Sequence, residues 1–182
     1  WGAVSLLTDA RASPCGSLGF AEQEFSSLAG ATSRKIPELE RARAIADQAG
    51  LELALYGGTS RELLSFICFK ARALGGKEAY LTWLNDPGTK VDILDWHHSK
   101  SDLDLLLLRK NGQSAEQSRE TLKRIRSKIT ASFPGDYFYK KLDLQLADEF
   151  FDAYPVYREH VESISNILIS RRCFEYLPQL EM

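Results

Sequence analysis

The sequence predicts an α/β (or α+β) protein in which a small mixed β-sheet is flanked by helices. Short apolar segments with strand-like alternation take turns along the chain with longer segments of helical periodicity. Of the 182 residues, 44% are hydrophobic and 26% are charged, which is enough for one core and a polar surface. We expect an irregular N-terminal segment (1–35), a core (36–150) and a C-terminal helical segment (151–182).

The first third of the chain is predicted to contain two helices followed by a strand. A short helix is expected around residues 19–29, inside the otherwise irregular N-terminal segment. The next helix has Pro37 in its first turn and Gly50 at its end, positions where these residue types are common. Residues 51–56, "LELALY", alternate in part and are short, which is typical of a strand.

A third helix is predicted directly after the glycine pair of "LYGGTSRELL". Thr59 and Glu62 have the spacing of a capping box, and the helix is expected to end near Leu74, before a second glycine pair. Residues 76–100 predict a strand or short helix, a turn at "NDPG" and a strand at "KVDIL".

The second half of the chain is predicted to continue with strand, helix, strand and helix. Five leucines near residues 103–108 indicate a strand that is covered on both faces. Ser114 and Gln117 form a second capping box before an amphipathic helix. Residues 137–148 alternate as a strand does, and a helical pattern follows. Its expected apolar stripe consists of Tyr157, Val161, Ile164 and Leu168.

Composition limits the classes of partner and the compartment. The net charge of −2 excludes a generally basic nucleic-acid coat, so such binding would need a local patch. Cys68 lies in the apolar stretch "FICF" and is predicted to be a buried thiol, which favours a reducing, cytoplasmic environment. No apolar run approaches the roughly 18 residues of a membrane span, so no membrane partner is expected. The start at Trp1 suggests a processed or cut-out chain with further domains outside it.

Three carboxylates are predicted to lie on one face of the sheet. Side chains alternate across a strand, so Asp102 and Asp104 point the same way, as Asp143 does in "KLDLQL". Like charges on one face repel each other, and a bound divalent cation removes that cost. We therefore expect these three residues to bind Mg²⁺ or Mn²⁺ and to carry phosphoryl-transfer chemistry.

The glycine turn supplies the second half of this predicted site. Gly57 and Gly58 precede a helix N-terminus, whose free N–H groups and dipole attract phosphate. We expect both glycines to let a triphosphate come close, Thr59 or Ser60 to donate a hydroxyl, and Arg61 to neutralise charge.

The order of these motifs resembles that of the nucleotidyltransferase superfamily typified by DNA polymerase beta. "YGGTSREL" is similar to the glycine motif of CCA-adding enzymes and poly(A) polymerases, and "GGTS" with "SDLDLLL" is similar to the nucleotidyltransferase toxins of abortive-infection systems. The resemblance covers about residues 38–148. It implies transfer of a nucleoside monophosphate from ATP or another NTP to a hydroxyl of RNA, a protein or a small molecule. It also implies that Gly57 and Gly58 contact the triphosphate, Asp102 and Asp104 bind the metal ions, and Asp143 deprotonates or orients the acceptor hydroxyl.

The spacing departs from that of these families, where the two motifs lie much closer together. Here 43 residues, 59–101, separate Gly58 from Asp102. Residues 76–100 are therefore interpreted as an insertion that either forms a substrate lid or blocks the site. A catalytically inactive binding module is one alternative function. A metal-dependent nuclease is another, although no lysine lies two residues after a carboxylate on the Asp-x-Asp strand.

Several residues have competing interpretations. Asp136 and Asp148 are alternatives to Asp143 as the third carboxylate. The alternative interpretation of Arg61 is that it forms a surface ion pair. His97 and His98 are interpreted as polar loop residues rather than as metal ligands with Asp92 or Asp95, and Trp83 and Trp96 as packing residues rather than base-stacking platforms. The basic face of the helix that follows Ser114 is interpreted as a solvated surface rather than as a phosphate-binding one. It consists of Arg119, Lys123, Arg124, Arg126 and Lys128.

Overall fold

The computed structural model describes residues 22–97, 102–110, 112–135, 142–155, 161–164 and 167–170. They form a mixed sheet flanked by helices, so the predicted α+β class is confirmed. The helices are α1 (Glu22–Ser33), α2 (Pro37–Gln48), α3 (Gly57–Leu74), α4 (Lys77–Asn85), α5 (Ile93–Trp96), α6 (Ala115–Thr130) and α7 (Ala147–Ala153). The strands are β1 (Leu51–Leu55), β2 (Leu103–Arg109), β3 (Leu142–Leu146), β4 (Val161–Ile164) and β5 (Ile167–Ser170).

The sheet has the strand order β3-β2-β1-β5-β4. Strands β1 and β2 are antiparallel, with Leu55 opposite Leu105. Strands β2 and β3 are parallel, with Asp104 opposite Asp143. Because of these directions, the end of β1 lies beside the beginnings of β2 and β3. The glycine turn and the predicted carboxylates therefore meet at one end of the sheet.

Strand β2 is covered on both faces, as the run of leucines predicts. Leu103, Leu105 and Leu107 belong to the main hydrophobic core. Leu106 points the other way, into a smaller cluster that also contains Tyr56 and Phe150. This alternation confirms the strand parity that places Asp102 and Asp104 on the opposite side from the main core.

Several helix boundaries follow the sequence signals. Pro37 occupies the first turn of α2, and Gly50, with φ of +78°, lies just beyond its end. Ser114 and Gln117 form the predicted capping box of α6. Helix α1 partly overlaps the short helix expected around 19–29, within the segment otherwise predicted to be irregular.

The predicted capping box of α3 is wrong. The helix begins at Gly57, two residues before Thr59, and its N-cap residue Tyr56 makes no side-chain capping hydrogen bond. Thr59 instead contacts β2, a partner 45 residues further along the chain that local spacing does not reveal. The predicted end of the helix near Leu74 is confirmed.

The insertion between α3 and β2 is helical and belongs to the core. Tyr80 of α4 and Ile93 of α5 are fully buried in the main cluster. The predicted strand at "KVDIL" is wrong, because Asp92 and Asp95 form a capping box that starts α5. The described part of the insertion, which ends at His97, packs against α3. Its role as a substrate lid or as a block of the site stays a prediction.

The predicted C-terminal helix is also wrong over the described residues. Helix α7 ends at Ala153, and Val161–Ile164 and Ile167–Ser170 form an antiparallel strand pair. β-branched residues such as Val161 and Ile167 favour strands, and the edge of β1 offers β5 a parallel partner. The first residues of the predicted strand 137–148 lie outside the described residues, and β3 begins at Leu142.

Two findings bear on the predicted environment. Cys68 is buried, as predicted, but it is disulfide-bonded. The prediction of a free thiol is therefore wrong, and Cys68 does not support a reducing compartment. None of the described helices is both long enough and apolar enough to cross a membrane.

Candidate functional site

The glycine turn and the Asp104 carboxylate are in close contact. Gly57 has φ of +57°, and a Cβ atom there would lie 3.1 Å from Asp104 Oδ2. A Cβ atom on Gly58 would lie 3.9 Å from the same oxygen. The N-terminus of α3 therefore faces a carboxylate across a gap that leaves little room for a side chain at position 57.

Thr59 joins this helix N-terminus to the beginning of β2. Its Oγ1 accepts a hydrogen bond of 2.7 Å from the backbone N–H of Asp104 and donates one of 3.3 Å to the carbonyl oxygen of Asp102. Thr59 is 1% exposed, so these two bonds satisfy backbone groups at a buried junction. The Thr59 hydroxyl, predicted to contact a nucleotide, thus fixes the geometry of the Asp-x-Asp segment.

Asp104 is the electrostatic centre of the site. Burial, and after it the neighbouring carboxylates of Asp143 and Asp102, raise the pKa of its carboxyl from 3.8 to about 6. Hydrogen bonding from the backbone N–H groups of Gly58 and Thr59 lowers the pKa and so favours the charged form. The site therefore holds a concentration of negative charge that a cation would neutralise.

Asp143 is held by two donors that sequence reasoning missed. The hydroxyl of Tyr56 donates to Asp143 Oδ2 at 2.8 Å, and Gln145 Nε2 lies 2.9 Å from Oδ1 and 3.0 Å from Oδ2. Strand parity already places Gln145 on the face of Asp143, whereas the role of Tyr56 depends on tertiary contacts. Burial and the hydrogen bond to Asp143 raise the pKa of Tyr56, so the phenol stays protonated and remains a donor.

Asp102 precedes β2 and is exposed, unlike its two partners. Its carbonyl oxygen accepts the bond from Thr59 and lies 3.2 Å from Nε2 of His97, which is buried. The same His97 nitrogen is 3.8 Å from Glu62 Oε2. The buried His97 therefore lies between Glu62 and the backbone of Asp102, while Asp102 itself is exposed.

The other predicted nucleotide-binding residues lie in the first turn of α3. Ser60 is fully buried, and its N–H donates the first helical hydrogen bond to the Tyr56 carbonyl oxygen. Arg61 is exposed. Of this pair, Arg61 is the residue placed to meet a ligand from solvent.

Several competing candidates have structural roles elsewhere. Asp148 pairs with Arg109 at 2.6 Å, at the opposite end of β2 from the site, and is not a third carboxylate here. Trp96 is buried and Trp83 packs against the core, which supports the interpretation as packing residues. On the basic face of α6, two members form ion pairs, Arg119 with Glu149 and Lys123 with Glu120. Asp136 and His98 lie outside the described residues.

The ligand atoms that the site offers are carboxylate oxygens, which suit a hard cation. Carboxylate oxygens are the ligands preferred by Mg²⁺, and the repulsion centred on Asp104 is the cost that such an ion removes. Among the described residues, no three His, Cys, Asp or Glu side chains form a group that could hold a metal ion. The binding of a metal ion by Asp102, Asp104 and Asp143 thus stays a prediction, and the structure shows Asp143 accepting hydrogen bonds from Tyr56 and Gln145.

Comparisons with known proteins give no family for this chain. No family model matches the sequence, and neither the curated proteins nor the solved structures include a significantly similar one.

Proposed function

We propose that this chain is a metal-dependent nucleotidyltransferase that moves a nucleoside monophosphate from an NTP to a hydroxyl acceptor. The observation that carries the proposal is the contact between the glycine turn and Asp104. It puts a helix N-terminus, which favours phosphate, against carboxylates that favour a divalent cation. An Mg²⁺–triphosphate complex has both of these chemical features.

The proposed reaction assigns a separate task to each group. The N-terminus of α3 at Gly57 and Gly58 receives the triphosphate, and Asp102 and Asp104 hold Mg²⁺ or Mn²⁺. A divalent ion held there would supply charge neutralisation during phosphoryl transfer. The acceptor oxygen bonds to the α-phosphorus, the bond from that phosphorus to the bridging oxygen breaks, and pyrophosphate leaves. Asp143 orients the acceptor hydroxyl and receives its proton.

The substrate class includes ATP and other NTPs on one side, and RNA ends, protein hydroxyls or small molecules on the other. The described surface offers Arg61 at the mouth of the glycine turn as a charge partner for phosphate. The exposed position of Asp102 leaves the cation accessible to an incoming nucleotide.

A second candidate is a binding module that keeps the scaffold without turnover. It is favoured by one observation, the engagement of both Asp143 oxygens by Tyr56 and Gln145. If those donors stay in place, Asp143 would not be released to a metal ion. Such a module would bind an NTP without releasing pyrophosphate.

Calorimetric titration with each of the four NTPs and Mg²⁺ tests the proposal. We expect wild-type protein to bind at least one NTP and the double variant Asp102→Asn/Asp104→Asn to lose metal-dependent binding. Asp148→Asn is the matched control, because it removes a carboxylate at the other end of β2. Release of pyrophosphate then separates the enzyme from the inactive module, and degradation of nucleic acid without NTP would identify a nuclease. A folded wild type that binds none of the NTPs would contradict the proposal.

A further inference from the structure

The carboxylate of Asp143 contacts two donor side chains, one directly after β1 and one within β3. Tyr56 follows β1 and donates to Oδ2, while Gln145 lies two residues further along β3 and reaches both oxygens. The two donors also contact each other, since Gln145 Nε2 lies 3.2 Å from the Tyr56 hydroxyl. Three mutually bonded side chains leave the carboxylate little rotational freedom.

Tyr56 is itself held in place through both its ring and its backbone. Its ring packs on Phe150 with ring centroids 4.7 Å apart, and the residue is 8% exposed. Its backbone N–H donates to the carbonyl oxygen of Asp104 at 3.2 Å. The next residue in the chain is Gly57, so one residue connects the glycine turn, the backbone of the Asp-x-Asp strand and the side chain of Asp143.

We propose that Tyr56 and Gln145 are positioning residues that hold the Asp143 carboxylate in place to orient the acceptor hydroxyl. This inference rests on the proposed function and adds a division of labour to it. Asp102 and Asp104 serve the metal ion and the nucleotide, whereas Asp143, with its two donors, serves the acceptor. Loss of either donor should therefore affect the transfer step and leave nucleotide binding intact.

Tyr80 of α4 is a buried tyrosine with a purely structural role, and it contrasts with Tyr56. Tyr80 is fully buried, and its hydroxyl pairs with Thr32 Oγ1 at 2.5 Å inside the main core. Tyr80 belongs to the main core, which packs on the opposite face of β2 from Asp104. Tyr80→Phe therefore removes a comparable buried hydroxyl and provides a matched control for Tyr56→Phe.

The test compares kcat and KM for the NTP in wild type, Tyr56→Phe, Gln145→Leu and Tyr80→Phe. Pyrophosphate release is measured with an RNA oligonucleotide, casein and glycerol as acceptors. We expect Tyr56→Phe and Gln145→Leu to lower kcat by about tenfold or more, because a misaligned catalytic group slows the chemical step. KM for the NTP should stay within about twofold in both, and Tyr80→Phe should match wild type in both parameters.

The outcomes separate this inference from the proposed function. An active wild type with unchanged kcat in Tyr56→Phe and Gln145→Leu would overturn the positioning role alone. An increase in KM without loss of kcat would also overturn it, since the donors would then serve nucleotide binding. A wild type that releases no pyrophosphate, whether or not it binds an NTP, would overturn the proposed transfer activity and this inference together.

Discussion

Helix α3 begins and ends with a glycine pair, and the two pairs have different surroundings. At the start, a Cβ atom on Gly57 would meet the Asp104 carboxylate at 3.1 Å. At the end, Gly75 and Gly76 have φ of +106° and +130°, and nothing lies within 4 Å of either Cβ position. The Gly76 N–H bonds to the Ala71 carbonyl oxygen, which closes the helix.

The comparison shows that a glycine pair indicates an unusual backbone conformation but does not indicate which structural or functional role that conformation has. The second pair permits the helix to end with positive φ values in open space. The first pair permits a close approach between a helix N-terminus and a carboxylate, which is the arrangement on which the proposed function rests. Substitutions that strain both pairs equally should therefore separate structure from function.

Gly57→Ala is expected to have the largest functional effect. Alanine at a positive φ costs about 1–2 kcal/mol, and the new methyl group forces Asp104 to move. We expect transfer activity to fall by about 100-fold, since small misplacement of a catalytic group has effects of that order. Steady-state pyrophosphate release measures the loss.

Gly75→Ala is the matched control for this prediction. It imposes a similar backbone cost at φ of +106°, but no neighbouring atom has to move. We expect a lower free energy of unfolding by about 1–2 kcal/mol and unchanged activity below the melting transition. Equal losses of activity in the two variants would show that the first pair is a turn and nothing more.

Thr59→Val is expected to have an intermediate effect. The variant keeps the shape of the side chain but leaves the buried N–H of Asp104 without its partner, while the carbonyl oxygen of Asp102 keeps its contact with His97. Unsatisfied buried groups cost about 1–3 kcal/mol, measurable by urea denaturation. Thr59→Ser restores the hydroxyl and should recover most of that stability. A stable Thr59→Val protein would show that the junction between α3 and β2 does not need this hydroxyl.

The pH dependence of stability should show the smallest effect. The folded state raises the pKa of Asp104 from 3.8 to about 6, so it retains a proton that the unfolded chain releases. Stability from this group is therefore present at low pH and is lost as the pH rises from about 4 to about 6. Allowing for partial exposure to solvent, we expect a decrease of about 1 kcal/mol.

Asp104→Asn should remove this dependence and raise the free energy of unfolding at pH 7 relative to wild type. Addition of Mg²⁺ at pH 7 should raise the melting temperature of wild type but not that of the variant, because a ligand stabilises the state that binds it. Differential scanning calorimetry across the pH range, with and without Mg²⁺, provides both measurements. Wild type and variant curves that run parallel would indicate that Asp104 carries no repulsive charge.

Local signals in the sequence determined the elements with strong periodicity and well-placed caps. Pro37, Gly50 and the Ser114–Gln117 box predicted helix boundaries, since these residues act within a few positions of themselves. The parity of Asp102 and Asp104 followed from the strand period alone. The choice of helix or strand near 161–170 did not, because it depended on the edge that β1 offers to β5.

The sequence by itself determined which residue types were available for chemistry and on which face of each strand they lie. Only the tertiary structure decided their partners. It paired Asp104 with Asp143 across two strands, turned Thr59 from a helix cap into a link with β2, and brought the Tyr56 hydroxyl to Asp143. The physical reason is range. Caps and periodicity act over a few residues, whereas these contacts join residues 39 to 87 positions apart, and only packing of the whole sheet brings them together.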